Sequence, residues 1–424
     1  MNIVEMIRFF RRDHSLVQSP VVCVIGAFLC SLAGPAEVAA QFSYSKIKDS
    51  FAYQQPRQIS YYSHSRFNRV EGFALNVGVK YQPQKLEGLS LAGDVTYGFK
   101  NLSDDRLKYN ATLQKDLFLP NRLSFGVALF DEVHTRDTWS ITTVENSLAA
   151  IFSHHDYMDY VGREGFKLFI DYKLAQVHNV RLELGRYNYN PLSVLPNSNW
   201  SLFNKDAVYA ANPQFYPLYM FQEGRETSLR LMGNIDLRDN PIFPIIGWYF
   251  EGIFEKTFDD FETNGLFLTV KRFQPSFGNQ RAMAKVLFGT RSGSFAYQHL
   301  ISFGGVGAMR GYNNKEFVGN RALFGSFQYA FGGDLLQNIP LHSIPVWEAL
   351  SLGLFFDIGY GWFADKSDPD VGLFKMGEFS MRDLKSNVGI SLIVTEGLLR
   401  FDFGKRTDYS GSDWQVFMRI LEKF

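Results

Sequence analysis

Cysteine is nearly missing from this 424-residue chain: Cys23 and Cys30 are its two copies, and both lie near the start. Disulfide staples and thiolate chemistry are thereby excluded for the rest of the sequence. A surplus of either charge is missing too, with 43 Lys and Arg against 43 Asp and Glu, so nothing marks a nucleic-acid partner. Long apolar runs are the third absence. The run from Val21 to Leu32 falls short of the ~18 to 20 residues that a helical membrane span requires.

Sites of chemistry are scarce as well. His154, His155, Asp156 and Asp159 lie close together, but His155 and Asp159 alone would share a helix face, and two ligands do not make a metal site. A solvated helix face is the better reading. Asp365, Asp368 and Asp370 are interrupted by Pro369 and do not match the spacing of a calcium loop, so they read as a solvated outer loop. No catalytic group, metal or cofactor is expected, and the chain does not read as an enzyme.

What is plentiful is aromatic. Rings make up 16% of the residues, with 41 Phe and 21 Tyr, while mean hydropathy stays slightly negative. A lipid-facing band with aromatic girdles needs such rings; a soluble domain rarely does. Period-two alternation is legible in single stretches: Leu399, Phe401 and Phe403 face one way, Arg400, Asp402 and Gly404 the other. Sixteen such segments are expected from Val70–Tyr81 to Trp414–Phe424, with Ala296–Phe303 the eleventh. Most approach the ~9 to 11 residues of a tilted membrane strand, and backbone groups in lipid must pair within a closed barrel. The predicted fold is all-β, a 16-stranded antiparallel transmembrane β-barrel over residues 70–424.

The start of the chain differs. Arg8, Arg11 and Arg12, then Val21 to Leu32, then Val38-Ala39-Ala40 follow the basic, apolar, small-residue order of an export leader. A signal peptide over 1–40 is expected, and a mature chain from Gln41 without cysteine. Residues 41–69 are then a short periplasmic segment, too small for a domain that folds alone. Two stretches interrupt the strands. Thr142 and Glu145 suit a capping box, and Val144, Leu148, Ile151 and Phe152 recur at helical spacing, which predicts a helix over 142–160. Pro191 to Glu226, rich in Asn, Pro and aromatics, has no clear period.

Phe303 to Phe331 reads as strand, glycine-rich loop, strand. Gly304, Gly305, Gly307 and Gly311 allow tight turns around one fixed charge, Arg310. Farther on, Leu352 to Trp362 alternates cleanly, leaving Asp357 alone among Gly353, Phe355, Gly359 and Gly361. Arg310 is the candidate partner for that carboxylate. A dinucleotide-binding reading of the loop fails, because Arg310 takes the third glycine's place and no helix follows.

These residues carry a resemblance. The glycines, Arg310-Gly311-Tyr312, then Gly-Asn-Arg-Ala-Leu opening a strand and Phe-x-Asp-x-Gly in the next, resemble the bacterial surface antigen, or BamA, TamA and FhaC, superfamily of outer-membrane barrels. The resemblance implies that the Arg-Gly-Tyr loop folds into the lumen and that Arg310 pairs with acidic groups on two neighbouring strands. One matches Asp357; at the other, where the family has glutamate, this chain has Gln328, which keeps an acceptor and loses the charge. Met309 stands where valine is more frequent. Arg66 to Gly72, RFNRVEG, is similar to the first barrel strand of members without periplasmic domains. The last strand, with Trp414, Val416, Met418 and Ile420 on one face and Phe424 at its end, resembles the signal by which outer-membrane proteins are recognised for assembly.

The resemblance implies a bacterial outer-membrane barrel in protein translocation or membrane assembly. It would be surrounded by outer-membrane lipid, and would act on polypeptide cargo or with a periplasmic partner protein. No POTRA module of the kind that serves the family as receptor is expected in residues 1–69, before Val70. A passive porin-like channel with the loop as plug is the alternative, and an outer-membrane enzyme a less favoured third. Strand parity places 142–160 and 191–226 on the side opposite the Arg310 loop.

Overall fold

The computed structural model describes residues 58–99, 106–117, 122–174, 178–194, 201–203, 207–241, 244–277, 280–331, 350–394 and 399–420. The expected leader and Phe424 lie outside these residues. In chain order the elements begin with β1 (Ile59–Tyr62), β2 (Arg66–Asn68), β3 (Gly72–Tyr81), β4 (Leu89–Gly98), β5 (Leu107–Leu117) and β6 (Arg122–His134). Helix α1 (Thr143–Ser153) precedes β7 (Val161–Leu174), β8 (His178–Pro191), β9 (Gly224–Asp236), β10 (Gly247–Asp259), β11 (Thr263–Pro275) and β12 (Arg281–Ser292). There follow β13 (Ile301–Phe303), β14 (Phe317–Gly319), β15 (Arg321–Ala330), β16 (Leu350–Trp362), β17 (Lys385–Val394), β18 (Leu399–Arg406) and β19 (Gln415–Ile420).

Pairing is antiparallel throughout and runs strand to next strand from β3 to β12, then through β15 to β19. β1 and β2 both pair with β3 and share one place in the wall; β13 and β14 pair only with each other. Among the described residues the wall therefore has sixteen strand positions. The period-two pattern decides which way each side chain points. On β3, Leu75, Val77 and Val79 are exposed while Ala74, Asn76 and Gly78 face inward. On β16, Leu354 and Phe356 are exposed while Phe355 and Asp357 are buried. Apolar residues outside and charged residues inside invert the order of a soluble protein, as a lipid-surrounded barrel requires.

The number sixteen agrees with the sequence expectation, but its membership is corrected in two places. Ala296–Phe303 is not a wall strand: Tyr297–His299 form a 3-10 turn and β13 pairs with β14 away from the main sheet. Its apolar and polar residues alternate in sequence, but Ala296 through Leu300 are all buried. The wall instead starts before Val70, inside the stretch expected to be a periplasmic segment. Ser63-His64-Ser65 break that strand into β1 and β2 and hide its pattern. The exchange shifts parity, so the connections 135–160, 192–223 and 293–320 all leave the same rim. The opposite-side expectation is overturned.

Helix α1 is real and shorter than expected. Thr142 accepts from the Glu145 backbone N–H, and the Glu145 carboxylate accepts from Thr142 in return. His154, in left-handed conformation at φ 62°, ends it, so His155 and Asp159 do not share a helix face. Nor is the helix solvated: Glu145 through Ile151 are all buried. Among the described residues no register joins β19 to β1 or β2, and α1 touches both β2 and β19.

Candidate functional site

The register of β15, β16 and β17 sets Ser326 and Asn387 directly across from Asp357. All three are buried on the inward face. Into this polar row reaches Arg310, itself 3% exposed. Its Nη2 donates to Asp357 Oδ1 at 2.7 Å and its Nε to Oδ2 at 3.0 Å, the two-bonded fork that a guanidinium and a carboxylate favour. Nη2 also donates to Ser326 Oγ at 3.1 Å, and Nη1 to Asp402 Oδ2 at 3.4 Å. Asn387 Nδ2 donates to Asp357 Oδ2 at 3.0 Å. The guanidinium carbon lies 3.6 Å from the Phe355 ring centre, close enough for a cation–π contact.

Arg310 and Asp357 are thus brought together, while Gln328 corrects the expected pairing. It points inward on β15 but lies opposite Phe355 rather than Asp357, one pleat step away. Ser326 makes the contact on that strand, and the second carboxylate is Asp402 of β18, which sequence reasoning missed. Asp402 also accepts from Arg400 Nε at 2.6 Å and from Ser391 Oγ. The loop backbone runs tightly along the wall: a Cβ on Gly404 would lie 2.3 Å from Arg310 O, and one on Gly311 2.6 Å from Asn387 Cβ. The Tyr312 hydroxyl, with one proton to donate, lies within reach of two acceptors, Ser386 O at 3.0 Å and Asp408 Oδ1 at 3.1 Å, and Arg406 lies over its ring. Burial and the Asp408 carboxylate push that hydroxyl above its ordinary range.

The far side of the loop is anchored as well. Lys315 donates to Asp137 Oδ2 and Asp159 Oδ2, both at 2.6 Å and both carboxylates on the connection between β6 and β7. Burial would lower the Lys315 ammonium, yet Asp137 and Asp159 more than offset it and hold it above its ordinary value. Burial would raise Asp159, but Lys315 and Arg69 hold it below. Asp137 stays above its ordinary value through burial, despite Lys315. Arg69, 1% exposed, pairs with Asp159 and with Asp156. The carboxylates that looked like metal ligands therefore hold cations of this chain.

The join of the wall has its own set of contacts. Glu145 Oε1 accepts from Arg419 Nε at 3.0 Å and from the Ile420 backbone N–H at 2.9 Å. Ser147 Oγ accepts from the Phe67 backbone N–H at 3.0 Å. On β19, Val416 and Met418 are exposed on the outward side with Ile420 half-buried, and Trp414 just before it is exposed as well, while Phe417 and Arg419 face inward. Nothing in the sequence linked Glu145 to Arg419, which are 274 residues apart. Asp365 and Asp370 are half-buried or exposed in the connection after β16, and Asp365 accepts from Ser367. Among the described residues no group of His, Cys, Asp and Glu is placed to hold a metal.

Comparison with known proteins places this geometry. BamA from Haemophilus ducreyi lacking POTRA domains 1–3 is similar over 87% of this chain and 70% of its own, with a TM-score of 0.57 and 14% identity. CdiB from Acinetobacter baumannii aligns with 87% of this chain and 60% of its own, at TM-score 0.40 and 10% identity. For CdiB from Escherichia coli the figures are 87%, 63%, 0.41 and 11%. Among curated proteins none matches the sequence. The Omp85 superfamily domain matches residues 87–417, which span β4 through the first half of β19. With that match, an inside-out antiparallel wall and a loop arginine held within it, the chain belongs to the Omp85 superfamily, as a β-barrel of the bacterial outer membrane.

Proposed function

We propose that this barrel translocates polypeptides or assembles them into the outer membrane, with the Arg310 loop as its resting plug. The observation that carries the reading is a lumenal loop held by buried ion pairs beside a wall whose join shows no ladder among the described residues. Strand edges without partners are where an extended chain can add. Membership in the superfamily supports the same reading. The rim that carries 135–160, 192–223 and 293–320 is read as the outer one, since outer-membrane barrels keep short turns on the periplasmic side. A periplasmic partner protein would then supply the receptor.

The test is reconstitution of the purified barrel in lipid vesicles with an unfolded outer-membrane protein as cargo, alongside single-channel recording. The expected result is faster acquisition of protease resistance by the cargo, with ion conductance low until Arg310→Ala frees the loop. Steady conductance from the unaltered barrel with no effect on cargo would replace this reading with the porin-like channel.

A further inference from the structure

The helix in the connection between β6 and β7 is placed where a strand partner would be. An edge strand has alternate N–H groups with no ladder to enter. At the join, those of Phe67 on β2 and Ile420 on β19 are both taken by side chains of α1, Ser147 for the first and Glu145 for the second. Both residues also have strand neighbours on their other side, β3 and β18. The helix thus bonds to both edges at once. Glu145 has a double duty: Oε2 accepts from the Thr142 backbone N–H at 2.9 Å and caps the helix, while Oε1 serves Ile420 and Arg419.

The helix is in turn tied to the plug. Val306 of the Arg310 loop, Phe417 of β19, Val70 after β2, and Ile141 and Met158 flanking α1 form one buried apolar cluster. Ser140, just before the helix, accepts from Arg419 Nη2 at 3.2 Å, and its carbonyl leaves no room for a Cβ on Gly307 of the loop. Lys315 holds Asp137 and Asp159 on either side of the helix. We propose that α1 is a latch on the join of the barrel, made by Glu145 and Ser147, and that the docked Arg310 loop holds the latch in place. The plug and the join are then one device, because expelling the loop removes the Lys315 pairs and part of the cluster on which the helix rests. The latch concerns the wall itself and does not depend on what the barrel handles.

Amide hydrogen exchange of the purified barrel in detergent micelles tests it, read by mass on the peptides that contain Phe67 and Ile420. Glutamine has a single acceptor oxygen, so Glu145→Gln can cap the helix or serve the strand edge but not both. Ser147→Ala removes the other bond and leaves the cap alone. Each variant should raise exchange at its own edge roughly tenfold, the scale of one hydrogen bond of about 1.4 kcal/mol, with peptides of β9 to β11 unchanged. Lys315→Met should raise exchange at both edges. Retained heat-modifiable mobility on gels shows that each variant is folded. Edge exchange unaltered by Glu145→Gln and Ser147→Ala in folded barrels would overturn the latch. Edges unmoved by Lys315→Met, while the loop peptides exchange faster, would overturn its dependence on the plug. Cargo assays can fail without altering either outcome.

Discussion

At Arg310 a guanidinium, two carboxylates and an aromatic ring meet away from water, and removing one member leaves the others buried without compensation. Arg310→Ala is expected to cost about 3 to 5 kcal/mol, the range for breaking a buried pair, read as a lower urea midpoint in micelles. Arg310→Ala with Asp357→Ala should be little worse than either alone; additive losses would mean that the two do not act together. Ser326→Ala should cost about 1 kcal/mol, and Gln328→Ala should not loosen the loop. Half of this site was legible. Asp357 stood out because it was the one carboxylate on a glycine-lined face, and a loop arginine is a natural partner for it. Ser326 and Asp402 were not legible, because strand register decides which inward groups stand opposite, and alternation alone does not fix register.

Elements were read well where a local signal exists and poorly where tertiary contacts override it. The capping box located the start of α1, but nothing local announced that His154 would end it. A buried α1 was also unforeseen, since its polar face meets strand edges instead of water. Ala296–Phe303 alternates like a wall strand and is a lumenal turn; β1 and β2 form a wall strand and do not look like one. The loop's second anchor gives a pH expectation. Asp159 is held below its ordinary value, so its contribution is present above the unfolded pKa of about 3.9 and is lost as pH falls through the lower folded value. Lys315 is held above, so its contribution is present below the unfolded value of about 10.4 and is lost as pH rises through the folded one. Asp137, raised, costs stability above its folded value and returns it as pH falls through that value, which offsets part of the loss from Asp159. Relative to the intrinsic exchange rate at each pH, protection of the loop should therefore hold from about pH 4 to 10 and fall outside that window. Lys315→Met should remove the window's alkaline edge.

On the scale of the whole molecule, composition carried more than any motif. Zero net charge and abundant rings in a chain of ordinary hydropathy are what an inverted barrel needs: hydrocarbon outside, paired charges inside. The buried ion pairs of Arg310, Lys315, Arg69 and Arg419 are the cost of that inversion, met within the chain. The leader is a separate expectation. Mass spectrometry of the exported protein should give an N-terminus at Gln41, and a mature chain retaining Cys23 and Cys30 would contradict it.

The interior contacts also impose an order in time. Lys315 reaches back 178 residues to Asp137, and Arg419 reaches back 274 to Glu145. Contacts so distant in sequence form late, because the chain between them must first be ordered. Until the distant partner is in place, Asp137 and Glu145 are left to water. A chain truncated before β19 would carry Glu145 without its arginine, and water would have to take the place of that partner in the lumen.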